Sequence, residues 1–159
     1  MKYLLCIVAV MIVAACSHTS GAYCTKKKVG VLYSFSYDAC RLAIEEYHQA
    51  TDFDVNIFKL NDASKKQILM IYRGGAPEVS EFYKRSSQIK YTNLNELKAE
   101  VIQTADDVKN SYGYEAIIYL PENDEGPRYY LHIKYDNLTR SEAAFATSII
   151  ESIHSIKVR

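Results

Sequence analysis

Histidine is the side chain whose ordinary pKa lies nearest neutrality, so the search for chemistry begins with His18, His48, His132 and His154. His132 alternates with Tyr130 and Lys134, and residues two apart in a strand share a face. An imidazole between a phenol and an ammonium could serve as a polar contact patch or an acid–base group; the alternation itself predicts a solvated sheet face. The second candidate is Arg73-Gly74-Gly75-Ala76-Pro77. Glycines after a strand let backbone N–H groups approach an anion, with Arg73 beside them. A phosphate loop also needs a Lys-Ser/Thr pair and a following helix, which this segment lacks, so a tight turn is expected. Tyr130, His132, Lys134, Arg73, Gly74 and Gly75 together form the candidate binding surface. The sequence contains no H-E-x-x-H, no G-x-S-x-G and no histidine pair at metal spacing. The expectation is a protein that is not an enzyme, with no catalytic residues, metal or cofactor.

The N-terminus carries one charge, Lys2, then an apolar run from Tyr3 to Ala15, then small residues: the three parts of a secretory signal peptide. The run is shorter than the ~20 residues a membrane-spanning helix needs. Val13-Ala14-Ala15-Cys16 resembles the bacterial lipobox. That resemblance implies cleavage before Cys16 and a lipid-bearing mature N-terminus, with a diacylglyceryl thioether and an amide-linked acyl chain. Several acyl chains at ~0.8 kcal/mol per buried methylene anchor a protein firmly. Ser17 follows the cysteine, which under the same resemblance implies the outer membrane, with the domain facing the periplasm. The division expected is residues 1–15 signal peptide, 16–24 lipidated terminus and short tether, and 25–159 a single domain.

Of four cysteines, Cys6 leaves with the signal and Cys16 takes the lipid, so Cys24 and Cys40 remain. In an oxidising compartment a disulfide between them is favoured, closing a loop worth ~3 kcal/mol; a buried free thiol at Cys40 is the alternative. Acidic and basic side chains balance, 19 against 19, so nothing in the charge points to nucleic acid. Lys26-Lys27-Lys28 could touch phospholipid headgroups but reads more simply as a solvated run.

The elements that would position these residues follow from periodicity. Residues 28–35 read as a strand, and Asp38 could cap a helix to His48 with Cys40, Ala43, Ile44 and Tyr47 on one face. Residues 52–60 alternate, with Phe53, Val55 and Ile57 pointing one way and Asp52, Asp54 and Asn56 the other. Residues 67–73 are apolar on both faces, hence a central strand. Phe82–Lys84 and Gln88–Tyr91 could be short strands. Asn93 with Glu96 predicts a capping box for a second helix carrying Leu94, Leu97, Val101, Ala105 and Val108 and ended by Gly113. Residues 115–120 and 128–135 form a hairpin around an acidic loop. Thr139 and Glu142 open a last helix with Ala143, Ala146, Ile150 and Ile153 along one stripe. The fold class expected is α+β: a largely antiparallel sheet of five or six strands with three helices packed on it.

The closing hairpin (EAIIYLPENDEGPRYYLHIKY) and helix (ATSIIESIHSIKV) resemble the PsbP-like, DcrB-like fold of small envelope lipoproteins. That resemblance implies a non-enzymatic binding or assembly module. The chain has 14 tyrosines and no tryptophan, and tyrosine is enriched at interfaces because it joins a large apolar face to a polar tip. Tyr83, Tyr91, Tyr112 and Tyr130 fall on expected exposed positions, although half-buried sheet tyrosines would account for the same composition. The function expected is a membrane-anchored, non-catalytic protein-binding module, either an immunity-type inhibitor of a periplasmic toxin or an envelope accessory factor. A binder of a small ligand or cell-wall fragment is the alternative.

Overall fold

In the computed structural model, residues 24–30, 33–49, 53–80, 88–120 and 129–156 are described. The segment 1–23, with the signal, Cys16 and the tether, lies outside them. So do the acidic loop 121–128, the expected strand Phe82–Lys84 and Tyr83. The described chain is mostly β and carries one helix, which overturns the expectation of three helices on a five- or six-stranded sheet.

Among the described residues ten strands form two antiparallel sheets. A three-stranded sheet joins β1 (Thr25–Val29), β2 (Tyr33–Asp38) and the short β10 (His154–Ser155) in the order β1-β2-β10. The larger sheet contains β3 (Leu42–Gln49), β4 (Phe53–Leu60), β5 (Gln67–Gly74), β6 (Lys90–Leu94), β7 (Leu97–Asp106), β8 (Ser111–Tyr119) and β9 (Tyr130–Leu138). Its order is β3-β4-β5-β9-β8-β7-β6, two meanders whose inner strands, β5 and β9, meet.

The expected helix from Asp38 to His48 is a turn followed by β3. Its apolar positions suit a helical stripe, but Leu42 and Ile44 also share a strand face with Glu46 and His48. All eight residues of β3 pair with β4, from Leu42 opposite Leu60 to Gln49 opposite Phe53, and that ladder decides between the two periods. His48 therefore belongs to a strand, not to a helix end. The expected helix after Asn93 is the β6–β7 hairpin. Leu94 faces Leu97 across a two-residue turn in which Asn95 and Glu96 both have positive φ, 48° and 71°. This is the type I′ geometry that matches strand twist. Glutamate in place of the usual glycine hides the turn, and Leu97, Ala99 and Val101 supply the buried alternation. Gly113 lies within β8 beside a register shift rather than ending a helix.

The last helix, α1 (Arg140–Glu151), forms with its expected capping box but ends before Ile153, which the expected stripe included. The Thr139 side chain accepts from the Glu142 N–H, and the Glu142 carboxylate accepts from the Thr139 N–H at 2.8 Å. Its buried stripe is Ala143, Ala146, Ile149 and Ile150. After α1 the chain turns into β10, which holds His154, and Asn95 Nδ2 donates to the Glu151 and Ile153 carbonyls at 2.7 and 2.6 Å. The first of these satisfies a carbonyl that the helix end leaves open.

The core lies between one face of the large sheet and a layer made of α1 and β2. Phe58, Leu69, Ile71, Leu131 and Ile133 from the sheet meet Tyr33 and Phe35 from β2 and Ala146 and Ile149 from α1. Phe35 sits edge-on to Phe58 with ring centres 5.3 Å apart. Cys24 and Cys40 form a disulfide with their Cα atoms 5.3 Å apart. It closes the open end of the β1–β2 hairpin, next to the pair Thr25–Asp38. Both sulfurs are thereby used, so their proximity to Asp38 is no metal site. Among the described residues no helix is long and apolar enough to cross a membrane.

Candidate functional site

Five of the six candidate residues fall on the two strands that meet at the centre of the large sheet, β5 and β9, and Gly75 follows directly. Gly74 pairs with Tyr130, Arg73 with Leu131 and Tyr72 with His132. Alternation then separates them. Tyr130, His132, Lys134 and Gly74 lie on the outer face, away from α1, whereas Arg73 shares the core-facing side with Leu131.

His132 is 2 % exposed, not solvated. Its Nε2 lies 2.8 Å from an oxygen of Glu115 on the neighbouring β8. The Ser80 N–H donates to the same oxygen at 2.9 Å, and the Ser80 hydroxyl donates to the other. Burial would raise the Glu115 pKa, but the bonds from His132 and Ser80 outweigh it and bring the carboxyl down to about 2. Hydroxyl, carboxylate and imidazole are a familiar catalytic set, yet their order is wrong for nucleophilic chemistry. The imidazole must stand between hydroxyl and carboxylate to take the hydroxyl proton; here the carboxylate stands in the middle. A carboxylate titrating near 2 is a poor proton acceptor at neutral pH. The arrangement ties the segment after β5 down onto the sheet, with Val79 and Ile89 packed against Ile102 and Ile117. Lys134 is half-buried and lines, with Ser80, Thr104 and Glu115, a cleft of about 300 Å³ beside this tie.

Arg73 is 3 % exposed. Its Nε donates to Asp54 on β4 at 2.6 Å, and its guanidinium lies 5.1 Å from the Tyr129 ring centre. Gly74 is buried because the Tyr72 phenol lies over it, where any side chain would collide. That use differs from backbone approach to an anion. Gly75 is exposed in the bend that leaves the sheet.

Two features escaped the reading of the sequence. One is the Glu115 partnership of His132. Both residues stand on the foreseen hairpin strands, but a shared face becomes a contact only once the strand register is known. The other is a polar cluster on the core side of β3 and β4. His48 Nδ1 lies 3.0 Å from Asp54 and its Nε2 3.2 Å from Glu46; Glu46 also pairs with Lys28 of β1. Asp54 and Asn56 are in phase with Phe58, and that apolar residue was the signal that their side faces the core.

Tyrosines mark the outer face. Tyr91 is 80 % exposed and Tyr119 40 %; they line a cleft of about 480 Å³ with Thr92, Lys98 and Glu100. Tyr119 donates to Glu100, which pushes its own pKa up to about 12, and meets Tyr130 edge-on at 5.5 Å. Tyr72 stacks on Phe53 at 6.0 Å and is half-buried, and Tyr47 on β3 is 52 % exposed. Tyr112, expected to be exposed, is half-buried between Asp107 and Arg140.

No family model matches the sequence, and no curated protein matches it. A crystal structure of a protein from Bacteroides thetaiotaomicron VPI-5482 is similar over 84 % of this chain, at 9 % identity and a TM-score of 0.47. The chain spans about half (49 %) of that structure's length.

Proposed function

We propose that this chain is a lipid-anchored envelope protein, held to the outer membrane through Cys16. Its domain would face the periplasm and bind another protein without catalysing a reaction. The observation that carries the binding reading is the aromatic outer face, where Tyr91, Tyr119 and Tyr47 stand exposed on a sheet whose other face is the core. Exposed rings on a rigid sheet give large contact area at small entropic cost. Beside them β6 is, among the described residues, an edge strand with only β7 beside it, and an edge strand is where a partner strand can add. The anchor is supported by the lipobox-like Val13-Ala14-Ala15-Cys16. The partner class is an envelope protein or a periplasmic toxin, the latter making this an immunity-type inhibitor.

Two experiments test this. Labelling cells with a radioactive fatty acid marks the full chain and fails to mark Cys16→Ala; equal labelling of both removes the anchor. Affinity capture from native envelopes with the full chain and with a Tyr91→Ala/Tyr119→Ala variant tests the face. A stoichiometric partner held by the first and lost by the second, at ~30-fold weaker binding for a pair of interface anchors, is the expected result. Equal capture by both moves the interface elsewhere, and no capture at all defeats the binding reading.

A further inference from the structure

On the core-facing side, away from the tyrosine face, the β1–β2 hairpin and strands β3 and β4 enclose a cleft of about 420 Å³, lined by Lys28, Gly30, Tyr33, Glu46, His48 and Asn56 among others. That volume suits a small ligand. At its floor Asn56 is 1 % exposed, and its Oδ1 is a buried polar side-chain atom with no hydrogen-bond partner among the described residues. Buried carbonyls are rarely left so. Asn56 Nδ2 donates to the Tyr33 hydroxyl at 3.0 Å, and the phenol's own proton has no acceptor among the described residues. Burial, with the Asp54 charge nearby, raises the Tyr33 pKa and keeps that proton in place. The floor thus offers one unused acceptor beside one unused donor. Turning the carboxamide through half a rotation exchanges the roles and leaves the same pair.

The charges around the floor are answered within the cluster. Lys28 pairs with Glu46, Arg73 with Asp54, and His48 bridges the two carboxylates. A charged ligand would gain little there. A hydroxyl group, which donates and accepts at once, matches both the floor and the rim of carboxylates, ammonium and imidazole. We propose that this cleft binds a neutral, hydroxyl-bearing ligand of the carbohydrate class, with Asn56 and Tyr33 holding one hydroxyl and Lys28, Glu46 and His48 its neighbours. The Lys28 and His48 side chains, 25 % and 52 % exposed, lie at the mouth. This site is independent of the protein-binding face and stands or falls separately.

The test is a nuclear magnetic resonance titration of the full chain in detergent with methyl glucoside and with methyl N-acetylglucosaminide. Butylammonium and acetate serve as charged controls. The expected result is a saturable shift of the Asn56 carboxamide and His48 ring signals by at least one glycoside, with Kd in the ~mM range. Tyr33→Phe, which keeps the ring and removes the hydroxyl, weakens that binding ~10-fold. Glu46→Gln at the rim weakens it while leaving signals outside the Lys28–Glu46–His48–Asp54 cluster unchanged. No saturable shift with either glycoside overturns the proposal. So does binding unchanged in both variants, or binding of butylammonium or acetate in place of the glycosides.

Discussion

The buried tie of Glu115, His132 and Ser80 makes a quantitative demand on stability. Glu115→Gln keeps the shape of the side chain and removes its charge. In the folded protein the carboxyl titrates at about 2 against an ordinary 4.5, because hydrogen bonds from His132 and Ser80 favour the ionised form more than burial opposes it. A folded pKa below the unfolded one contributes stability that is fully present above ~4.5 and is lost as pH falls through ~2. The shift corresponds to about 3 kcal/mol at neutral pH, in line with the ~3–5 kcal/mol that breaking a buried pair costs. Urea unfolding of the full chain in detergent, followed by circular dichroism, should therefore find Glu115→Gln less stable by about 3 kcal/mol at pH ~7, and the deficit should shrink by about 1 kcal/mol at pH ~3.5. A His132→Gln variant and the double variant complete the cycle, with a coupling on the order of 2 kcal/mol for one charge-assisted bond. A deficit under ~1 kcal/mol at neutral pH, or one that does not change between the two pH values, would refute the reasoning.

Three further outcomes follow from other contacts. Reducing the disulfide, or Cys24→Ser with Cys40→Ser, should lower stability by ~3 kcal/mol in thermal unfolding, since it closes a hairpin end 16 residues apart in sequence. Thr139→Ala should cost about 1 kcal/mol through loss of the α1 capping box. His48 has a raised pKa because Asp54 and then Glu46 accept its ring protons, with Lys28 and Arg73 as the cations nearby. Its contribution is therefore complete below the unfolded value of 6.5 and is lost as pH rises through the folded one. His48→Asn should abolish that decline in a pH series of unfolding midpoints.

Local signals were legible where the chemistry is local. The capping box of Thr139 and Glu142, the stripe of α1, the two-sided burial of β5 and the pairing of Cys24 with Cys40 all depend on residues close in sequence or on their apolar character. The segments 38–48 and 93–108 were read as helices because their apolar residues satisfy both periods, and only a partner strand chooses between them. The same limit applied to the candidate site. Arg73, Gly74, Tyr130, His132 and Lys134 stand on adjacent strands, but alternation sends Arg73 to the core side and the others to the outer face. Whether each is exposed depends on what covers the sheet, and neither Glu115 beneath Ser80 nor Asp54 beside Arg73 is near them in the chain.

The sequence by itself determined the alternation of β4 and β9, the capped helix and the absence of familiar catalytic motifs, because those properties reside in neighbouring residues. The tertiary structure decided that Arg73 is buried in an ion pair with Asp54 and His132 against the Glu115 carboxylate, that Asn56 faces a cleft with an unused acceptor, and that two apparent helices are hairpin strands. Each of those outcomes rests on hydrogen bonds and packing between residues far apart in the chain, whose free energy exceeds the small differences in local propensity.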